Sequence, residues 1–377
     1  MRSTLRIVLL LALVGVVGCS ASKYFSVPEF RKKQPLLRPL WQVKLRDHEL
    51  LQYKPRELAV PAYDAKRRLL VVGSNDRAVY GIDAASGRLR WKTKLADKVR
   101  TGLSVHADMA FCGTSGGRLV VLSLADGRVL WTYETQGEVL TRPLVEGGRV
   151  YFLTANNHLY AIDLQKHKPA WVYRRSQPSE FSVFGGSRPL IESGKIYAGF
   201  ADGVFAALSV VDGAVVWARR LSTGSGRFQD VDGSPVVDGS TIYVTSQQGG
   251  LYALNTDNGD VIWQTKLPAL GSPILRGDHL YLTTGPNELI AVLKKDGTIA
   301  WRTKFVLNPN YGLSDPEPVG DKLFLSTTDG IAIVDRLQGS VLEKIHFTKG
   351  VSANLFVRGG NLYFISNGGH VYSFAIR

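Results

Sequence analysis

The strongest constraint on the fold is a ladder of tryptophans at nearly regular spacing. The chain has seven Trp in 377 residues, and successive ones are separated by 50, 40, 40, 46, 46 and 38 residues. The ladder contains every tryptophan of the chain: Trp41, Trp91, Trp131, Trp171, Trp217, Trp263 and Trp301. A period of about 40 residues indicates an array of similar units, each of which must stack on its neighbours to bury its apolar faces.

The same pattern precedes most of these tryptophans: an apolar run, a turn rich in Asp, Asn and Gly, and a second run that ends in Trp. Residues 79–91 are VYGIDAASGRLRW, and residues 251–263 are LYALNTDNGDVIW. In six copies a glycine stands four residues before the Trp position, where a hairpin turn needs positive φ. His167 replaces that glycine once, and Glu343 replaces the Trp in the seventh copy.

A second set of short apolar strands predicts how many units there are. Eight such strands begin at Arg68, Asp108, Arg149, Lys195, Thr241, His279, Lys322 and Asn361. A proline stands six residues before five of them, where a strand tolerates the missing N–H. The chain shows no convincing helical periodicity. Eight units of about 40 residues with four strands each predict an all-β, eight-bladed β-propeller over residues 41–377.

The two ends of the repeat region predict how the ring closes. Residues 41–45 (WQVKL) match the fourth strand of other units, such as residues 91–95 (WKTKL), but no first three strands precede them. The last unit ends at Arg377 before any fourth strand. We therefore expect the N-terminal strand to complete the C-terminal blade, which removes an exposed sheet edge.

The first residues predict export and a lipid anchor. Two arginines precede an apolar or small run from Ile7 to Gly18, which is too short to span a bilayer and is typical of a signal peptide over residues 1–18. Cys19 follows directly, and the order resembles the lipobox of bacterial lipoproteins. This resemblance implies a lipidated Cys19 as the first residue of the mature protein. Ser20 and Ala21 come next, a pattern that in similar lipoproteins goes with the outer membrane.

The segment after the lipobox and the net charge give weaker indications. Residues 19–40 carry three prolines and lack strand and helix periodicity, so we predict an extended tether. Lys and Arg exceed Asp and Glu by 46 − 32 = 14. This excess predicts attraction to anionic envelope components, although excess basic side chains are usually solvated surface. Export disfavours nucleic acid as a partner.

Motifs for catalysis or metal binding are absent from the sequence. The match to G-x-S-x-G at residues 113–117 joins two predicted strands, whereas a nucleophile elbow leads from a strand into a helix. The seven histidines lack metal-ligand spacing, and there is no Walker loop. We expect no catalytic residue, no metal site and no cofactor.

The repeat pattern resembles the tryptophan-docking repeat of quinoprotein propellers. The resemblance is carried by G-x-D-x-x-x-G-x-x-x-W at residues 81–91 and A-x-N-x-x-x-G-x-x-x-W at residues 253–263. Dehydrogenases of that type bind pyrroloquinoline quinone with calcium and have two adjacent cysteines, which this chain lacks. A quinoprotein dehydrogenase is therefore the alternative to a non-catalytic propeller.

Eight such repeats behind a lipobox resemble the BamB family of outer-membrane assembly lipoproteins. The resemblance implies a non-catalytic periplasmic scaffold that binds the periplasmic domains of a BamA-type insertase through two loops. One loop contains Asp230 and Asp232, which match an Asp-Val-Asp motif, although turn chemistry explains these residues equally well. The other contains Phe181, Val183 and Phe184, although buried aromatic packing explains both phenylalanines equally well. Phe184 stands where the family has Arg, and a Phe cannot form a bidentate charged contact.

Overall fold

The computed structural model describes residues 34–45, 56–176, 187–222, 229–268, 271–285, 287–307 and 312–377. Within these ranges the chain forms 32 strands joined by turns and loops, and no helix. Leu36–Arg377 form one compact unit, to which the following description applies.

Each blade is a four-stranded sheet whose strands follow one another in sequence, except in blade 8. Blades 1 and 2 comprise β2 (Ala62–Asp64), β3 (Leu69–Ser74), β4 (Ala78–Asp83), β5 (Leu89–Lys94), and β6 (Ser104–His106), β7 (Met109–Gly113), β8 (Arg118–Ser123), β9 (Val129–Glu134). Blades 3 and 4 comprise β10 (Leu144–Glu146), β11 (Arg149–Leu153), β12 (His158–Asp163), β13 (Lys168–Arg174), and β14 (Leu190–Glu192), β15 (Lys195–Gly199), β16 (Val204–Ser209), β17 (Val215–Arg220). Blades 5 and 6 comprise β18 (Val236–Asp238), β19 (Thr241–Ser246), β20 (Gly250–Asn255), β21 (Val261–Thr265), and β22 (Ile274–Arg276), β23 (His279–Thr284), β24 (Glu288–Leu293), β25 (Ile299–Lys304). Blades 7 and 8 comprise β26 (Glu317–Val319), β27 (Lys322–Thr327), β28 (Gly330–Asp335), β29 (Val341–His346), and β30 (Phe356–Arg358), β31 (Asn361–Ile365), β32 (His370–Ile376), β1 (Leu37–Lys44).

The prediction of an all-β, eight-bladed propeller is confirmed. All strand pairs within the blades are antiparallel, and the first strands of successive blades contact one another, as β2 does β6 and β22 does β26. These short first strands therefore surround the axis of the ring. The second and third strands are almost wholly buried, because both of their faces pack against neighbouring blades.

The predicted closure of the ring is also confirmed. Strand β1 pairs with β32, so that the N-terminal strand is the fourth strand of blade 8. The strand begins at Leu37, within the segment 19–40 for which the sequence predicts a tether. Leu37 is only 3% exposed and packs in a cluster with Phe324 and Phe374, so burial in the ring extends the strand. Pro39 lies next to a register irregularity, where the missing N–H is tolerated.

The tryptophans join each blade to the next. Trp217 lies on the outer strand of blade 4, and its Nε1 donates a hydrogen bond to the carbonyl of Thr256 in blade 5, at 2.9 Å. Its ring covers Gly259, the turn glycine of that blade. The packing of a Trp ring on a turn glycine recurs in six pairs: Trp41 and Gly87, Trp91 and Gly127, Trp171 and Gly213, Trp217 and Gly259, Trp263 and Gly297, Trp301 and Gly339. The turn glycine therefore provides both positive φ and space for a ring.

The two positions that depart from the repeat, His167 and Glu343, make other contacts between neighbouring segments. Where His167 replaces the glycine, its ring stacks on Trp131, with the ring centroids 4.5 Å apart. Where Glu343 replaces the Trp, the residue opposite is Ile333, whereas Trp91 faces a glycine. Glu343 Oε2 instead accepts a hydrogen bond of 2.7 Å from the backbone N–H of Leu36. The substituted position thereby binds the segment that leads into the closing strand.

We expect Gly259→Ala to destabilise the protein more than Gly239→Ala. Both glycines have positive φ, 71° and 60°, so each substitution costs about 1–2 kcal/mol in backbone strain. A Cβ on Gly239 meets nothing within 4 Å, whereas one on Gly259 would lie 2.5 Å from the Trp217 ring. Overpacking should therefore add about 1–3 kcal/mol to the loss, measured from urea unfolding curves. Equal losses in the two variants would contradict a docking role for this glycine.

Candidate functional site

One face of the ring carries the loops in which the sequence predicts partner contacts. The connections between blades lie beside the turns that join second and third strands: Gln247 N–H donates to the Asp230 carbonyl at 3.0 Å, and Ser115 N–H donates to the Lys98 carbonyl at 3.0 Å. We call this the connector face. Its described residues are 45, 56–61, 95–103, 135–143, 175–176, 187–189, 221–222, 229–235, 266–268, 271–273, 305–307, 312–316 and 347–355.

The predicted Asp-Val-Asp loop enters blade 5 on this face. Val231 anchors the loop, because its N–H donates to the Phe200 carbonyl at 3.1 Å and its buried side chain occupies the space beside Gly199. Asp230 is 1% exposed, and its carbonyl accepts the hydrogen bond from Gln247. Asp230 therefore helps to fix the loop from within the protein.

Asp232 differs from Asp230 because it is half-buried and lies at the surface of the loop. Its Oδ2 accepts a hydrogen bond of 2.9 Å from Gln247 Nε2, but its buried Oδ1 makes none with the described residues. Burial raises the pKa of Asp232 to about 6, against the effect of Gln247, and the charges of Asp230 and Asp315 raise it further. The ionised form of Asp232 is thus destabilised by its surroundings, and a hydrogen-bond donor or a cation that bound the carboxylate would stabilise it.

A series of hydrogen bonds links the loops around the mouth of the central channel. Ser234 Oγ accepts from Arg188 N–H at 3.1 Å, and Ser272 Oγ accepts from Ser234 N–H at 3.1 Å. Asp315 Oδ1 accepts from Ser272 N–H at 2.8 Å, and Asn354 Oδ1 accepts from Asp315 N–H at 3.3 Å. Each of these residues stands two positions before the first strand of its blade. The repeat therefore places a polar residue at the channel mouth in blades 3 to 8, whereas blades 1 and 2 have Val60 and Gly102 at this position.

Two basic residues occupy the same repeat position in blades 3 and 4, namely Arg142 and Arg188. Sequence reasoning missed them, because the net charge does not show where basic side chains cluster. Aligning the residue that precedes the strand-initial proline would have shown two adjacent arginines in a column of otherwise short side chains. Both arginines line a cavity of about 280 Å³ in the channel, and Arg188 also lines an adjoining one of about 360 Å³.

Several predictions fall outside the described residues. Cys19, Phe181, Val183 and Phe184 lie there, so lipidation and the second contact loop stay predictions. Where the chain is described, no group of three or more His, Cys, Asp or Glu side chains is placed to hold a metal. The same residues include no helix that is long and apolar enough to cross a membrane.

Comparisons of fold define the class of protein. The structure is similar to quinohemoprotein alcohol dehydrogenase from Comamonas testosteroni, with 15% identity and a TM-score of 0.70, covering 90% of this chain and 76% of that one. It is also similar to the computationally designed Ika8 protein, with 13% identity and a TM-score of 0.70, covering 90% of this chain and 100% of that one. The chain is thus an eight-bladed β-propeller built from PQQ-like repeats.

Comparison with family models is more specific. A model described as outer membrane protein assembly factor BamB matches residues 38–112 and 75–303, and the chain belongs to this family. BamB from Moraxella catarrhalis has a similar structure, with 22% identity and a TM-score of 0.78, covering 90% of this chain and 100% of that one. No curated protein gives a significant sequence match. Because dehydrogenases share the fold, the fold alone does not separate scaffold from enzyme.

Proposed function

We propose that this protein is a non-catalytic scaffold that docks on a BamA-type insertase and assists outer-membrane protein insertion. The observation that carries the proposal is the match to the BamB family model over residues 38–112 and 75–303. A closed ring of eight blades suits a scaffold, because it presents loops at fixed positions on a rigid support.

The proposed location is the periplasmic face of the outer membrane, where lipid on Cys19 would anchor the chain. The signal sequence, the lipobox and the residues that follow Cys19 support this location. Because β1 begins at Leu37, the proposed tether comprises residues 20–36, which span at most roughly 60 Å when fully extended. The propeller could therefore reach a partner at some distance from the lipid surface.

We assign the docking contact to the connector face, with Asp232 as the carboxylate offered to the partner. Its desolvated charge would be stabilised by a Lys or Arg of the insertase, which offsets the cost of keeping it ionised. Asp230 would hold the loop in place from beneath. In chain order Phe181, Val183 and Phe184 belong to the connection between β13 and β14, and they would supply the apolar part of the interface.

The test is copurification of the insertase from detergent-solubilised envelopes. Asp232→Asn should reduce the recovered insertase about tenfold, the effect of losing about 1.4 kcal/mol of charge pairing. The matched control is Asp126→Asn, which alters an exposed carboxylate in a turn between third and fourth strands. If the wild-type chain recovers no insertase, the scaffold role is wrong. If Asp232→Asn recovers as much as wild type, only the assigned contact is wrong.

The fold shared with quinohemoprotein alcohol dehydrogenase favours one second candidate, a quinoprotein enzyme. This candidate requires that the purified chain bind pyrroloquinoline quinone in the presence of Ca²⁺. Such a complex should show a bound chromophore and reduce an artificial dye when an alcohol or sugar is added. Absence of both signals would exclude this class.

A further inference from the structure

Arg142 and Arg188 cannot accept the hydrogen bond that the side chain at this repeat position accepts in other blades. In blades 5 to 8 the equivalent side chains are short and accept the hydrogen bonds described above. A guanidinium carries five N–H donors and no acceptor. The side chains of Arg142 and Arg188 therefore point to a different role at the same place.

The channel beside these arginines is a cavity with a positive lining. One part measures about 360 Å³ and is lined by Arg188, Arg276 and Glu317 together with apolar side chains. A second part measures about 280 Å³, shares Arg188 with the first, and adds Arg142 and Arg358. Among the described lining residues of both parts, four are arginines and one is acidic. A volume of this size suits a small molecule.

The charge of Arg142 is disfavoured by burial and by the neighbouring charge of Arg188. Burial and the charge of Arg188 lower the pKa of Arg142 to about 10, and the charge of Glu317 opposes this shift. Burial also lowers the pKa of Arg188, although its side chain faces the open channel. Both groups stay protonated at neutral pH. Neither forms an ion pair with a carboxylate in the part of the chain that the structure describes.

Glu317 supplies at most one negative charge to a lining that contains four arginines. Burial raises the pKa of Glu317 to about 7, although the charges of Arg276 and Arg142 lower it. The lining of the channel keeps a positive charge that the protein itself does not neutralise.

The contacts of Arg142 fix one edge of its guanidinium and leave the other edge available. Its Nε donates to Ser104 Oγ at 3.3 Å, and the Ser104 hydroxyl donates to the Pro143 carbonyl. The terminal nitrogens make no hydrogen bond with the described residues. A guanidinium held in this way presents a planar pair of donors, which matches a carboxylate or a phosphate.

We propose that Arg142 and Arg188 form a binding site for a small polyvalent oxyanion in the central channel. The ligand carries carboxylate or phosphate groups, since both present the paired oxygens that a guanidinium binds. Apolar side chains such as Val236 and Ile274 complete the wall and accommodate the body of an organic anion. This site does not depend on docking of a protein partner.

The experiment is calorimetric titration of the full chain in detergent with citrate and, separately, inorganic phosphate, at constant ionic strength. Wild type should bind at least one probe with one-to-one saturation, and the preferred probe identifies the carboxylate or phosphate source. Arg142→Gln combined with Arg188→Gln should weaken that binding at least tenfold. The matched control is Arg128→Gln, which removes an exposed guanidinium in a turn. Binding of neither probe, or equal binding by the double variant, would overturn the proposal.

A second measurement separates a binding role from a structural role. Without added anion, Arg188→Gln should melt no lower than wild type, because it removes a like charge from the surroundings of Arg142. The anion should then raise the melting temperature of wild type and leave that of the variant unchanged. A variant that melts below wild type without anion would show that Arg188 serves the fold, and the proposal would fail.

Discussion

Replacing Leu37 by Asp is expected to destabilise the propeller by at least about 4 kcal/mol. Leu37 is 3% exposed and lies in a cluster with Phe324, Phe364 and Phe374, which joins blades 7 and 8. Removing a buried Leu side chain costs about 2–5 kcal/mol, and an unpaired carboxylate in its place adds a desolvation cost. We expect the urea midpoint to fall sharply and the freed edge of β32 to promote aggregation.

The matched control lies on the same strand. Leu40 is 39% exposed, so Leu40→Asp should change the free energy of unfolding by less than about 0.5 kcal/mol. Urea unfolding followed by tryptophan fluorescence, with size-exclusion chromatography for aggregation, compares the two variants. Similar stability of both variants would mean that the buried face of β1 does not close the ring.

The closing strand acts on two blades. Through its backbone β1 pairs with β32, and through Trp41 it reaches blade 1, where Trp41 Nε1 donates to the Ala84 carbonyl at 3.0 Å. The Trp41 ring also covers Gly87. Loss of this strand would therefore break both the last sheet and the contact between the last and first blades.

The sequence is sufficient to predict the number of blades, their order and the closure. The reason is physical: six of the seven Trp pack on a turn glycine in the next blade, so both residues recur with the period of the unit. The start of β1 could not be predicted in the same way. Residues 37–40 show no alternation and include Pro39, and only packing across blades 7 and 8 makes this segment a strand.

The candidate site could be predicted only in part. The Asp-Val-Asp pattern locates a loop, but the sequence does not show that Asp230 is buried while Asp232 is half-exposed. The basic pair Arg142 and Arg188 was not predicted, because only the assembled ring brings these two side chains to the wall of one cavity. The sequence shows which residues can be charged, whereas the pKa of each group depends on burial and on neighbouring charges in the folded protein.

Asp232→Asn is expected to stabilise the protein at pH 7, by at most about 3 kcal/mol. The pKa of Asp232 is raised to about 6 in the folded chain, from 3.8 for an unperturbed Asp, and one pKa unit corresponds to about 1.4 kcal/mol. The folded state thus binds the proton more readily than the unfolded state. The ionised group destabilises the fold above its folded pKa, and this penalty disappears as pH falls towards 4. Unfolding curves at pH 7 and pH 4 should show the stabilisation only at pH 7.

A control with the opposite sign is Asp83→Asn. Hydrogen bonds from Arg90 and Ser86 lower the pKa of Asp83 to about 2, so its ionised form stabilises the fold above pH 4, and that contribution is lost on further acidification. Asp83→Asn should therefore destabilise the protein at pH 7. If Asp232→Asn also destabilises the protein at pH 7, the Asp232 carboxylate stabilises its own loop. That result would contradict the proposed docking role of Asp232. A variant that gains stability and loses the insertase would show that this unfavourable carboxylate is retained for binding.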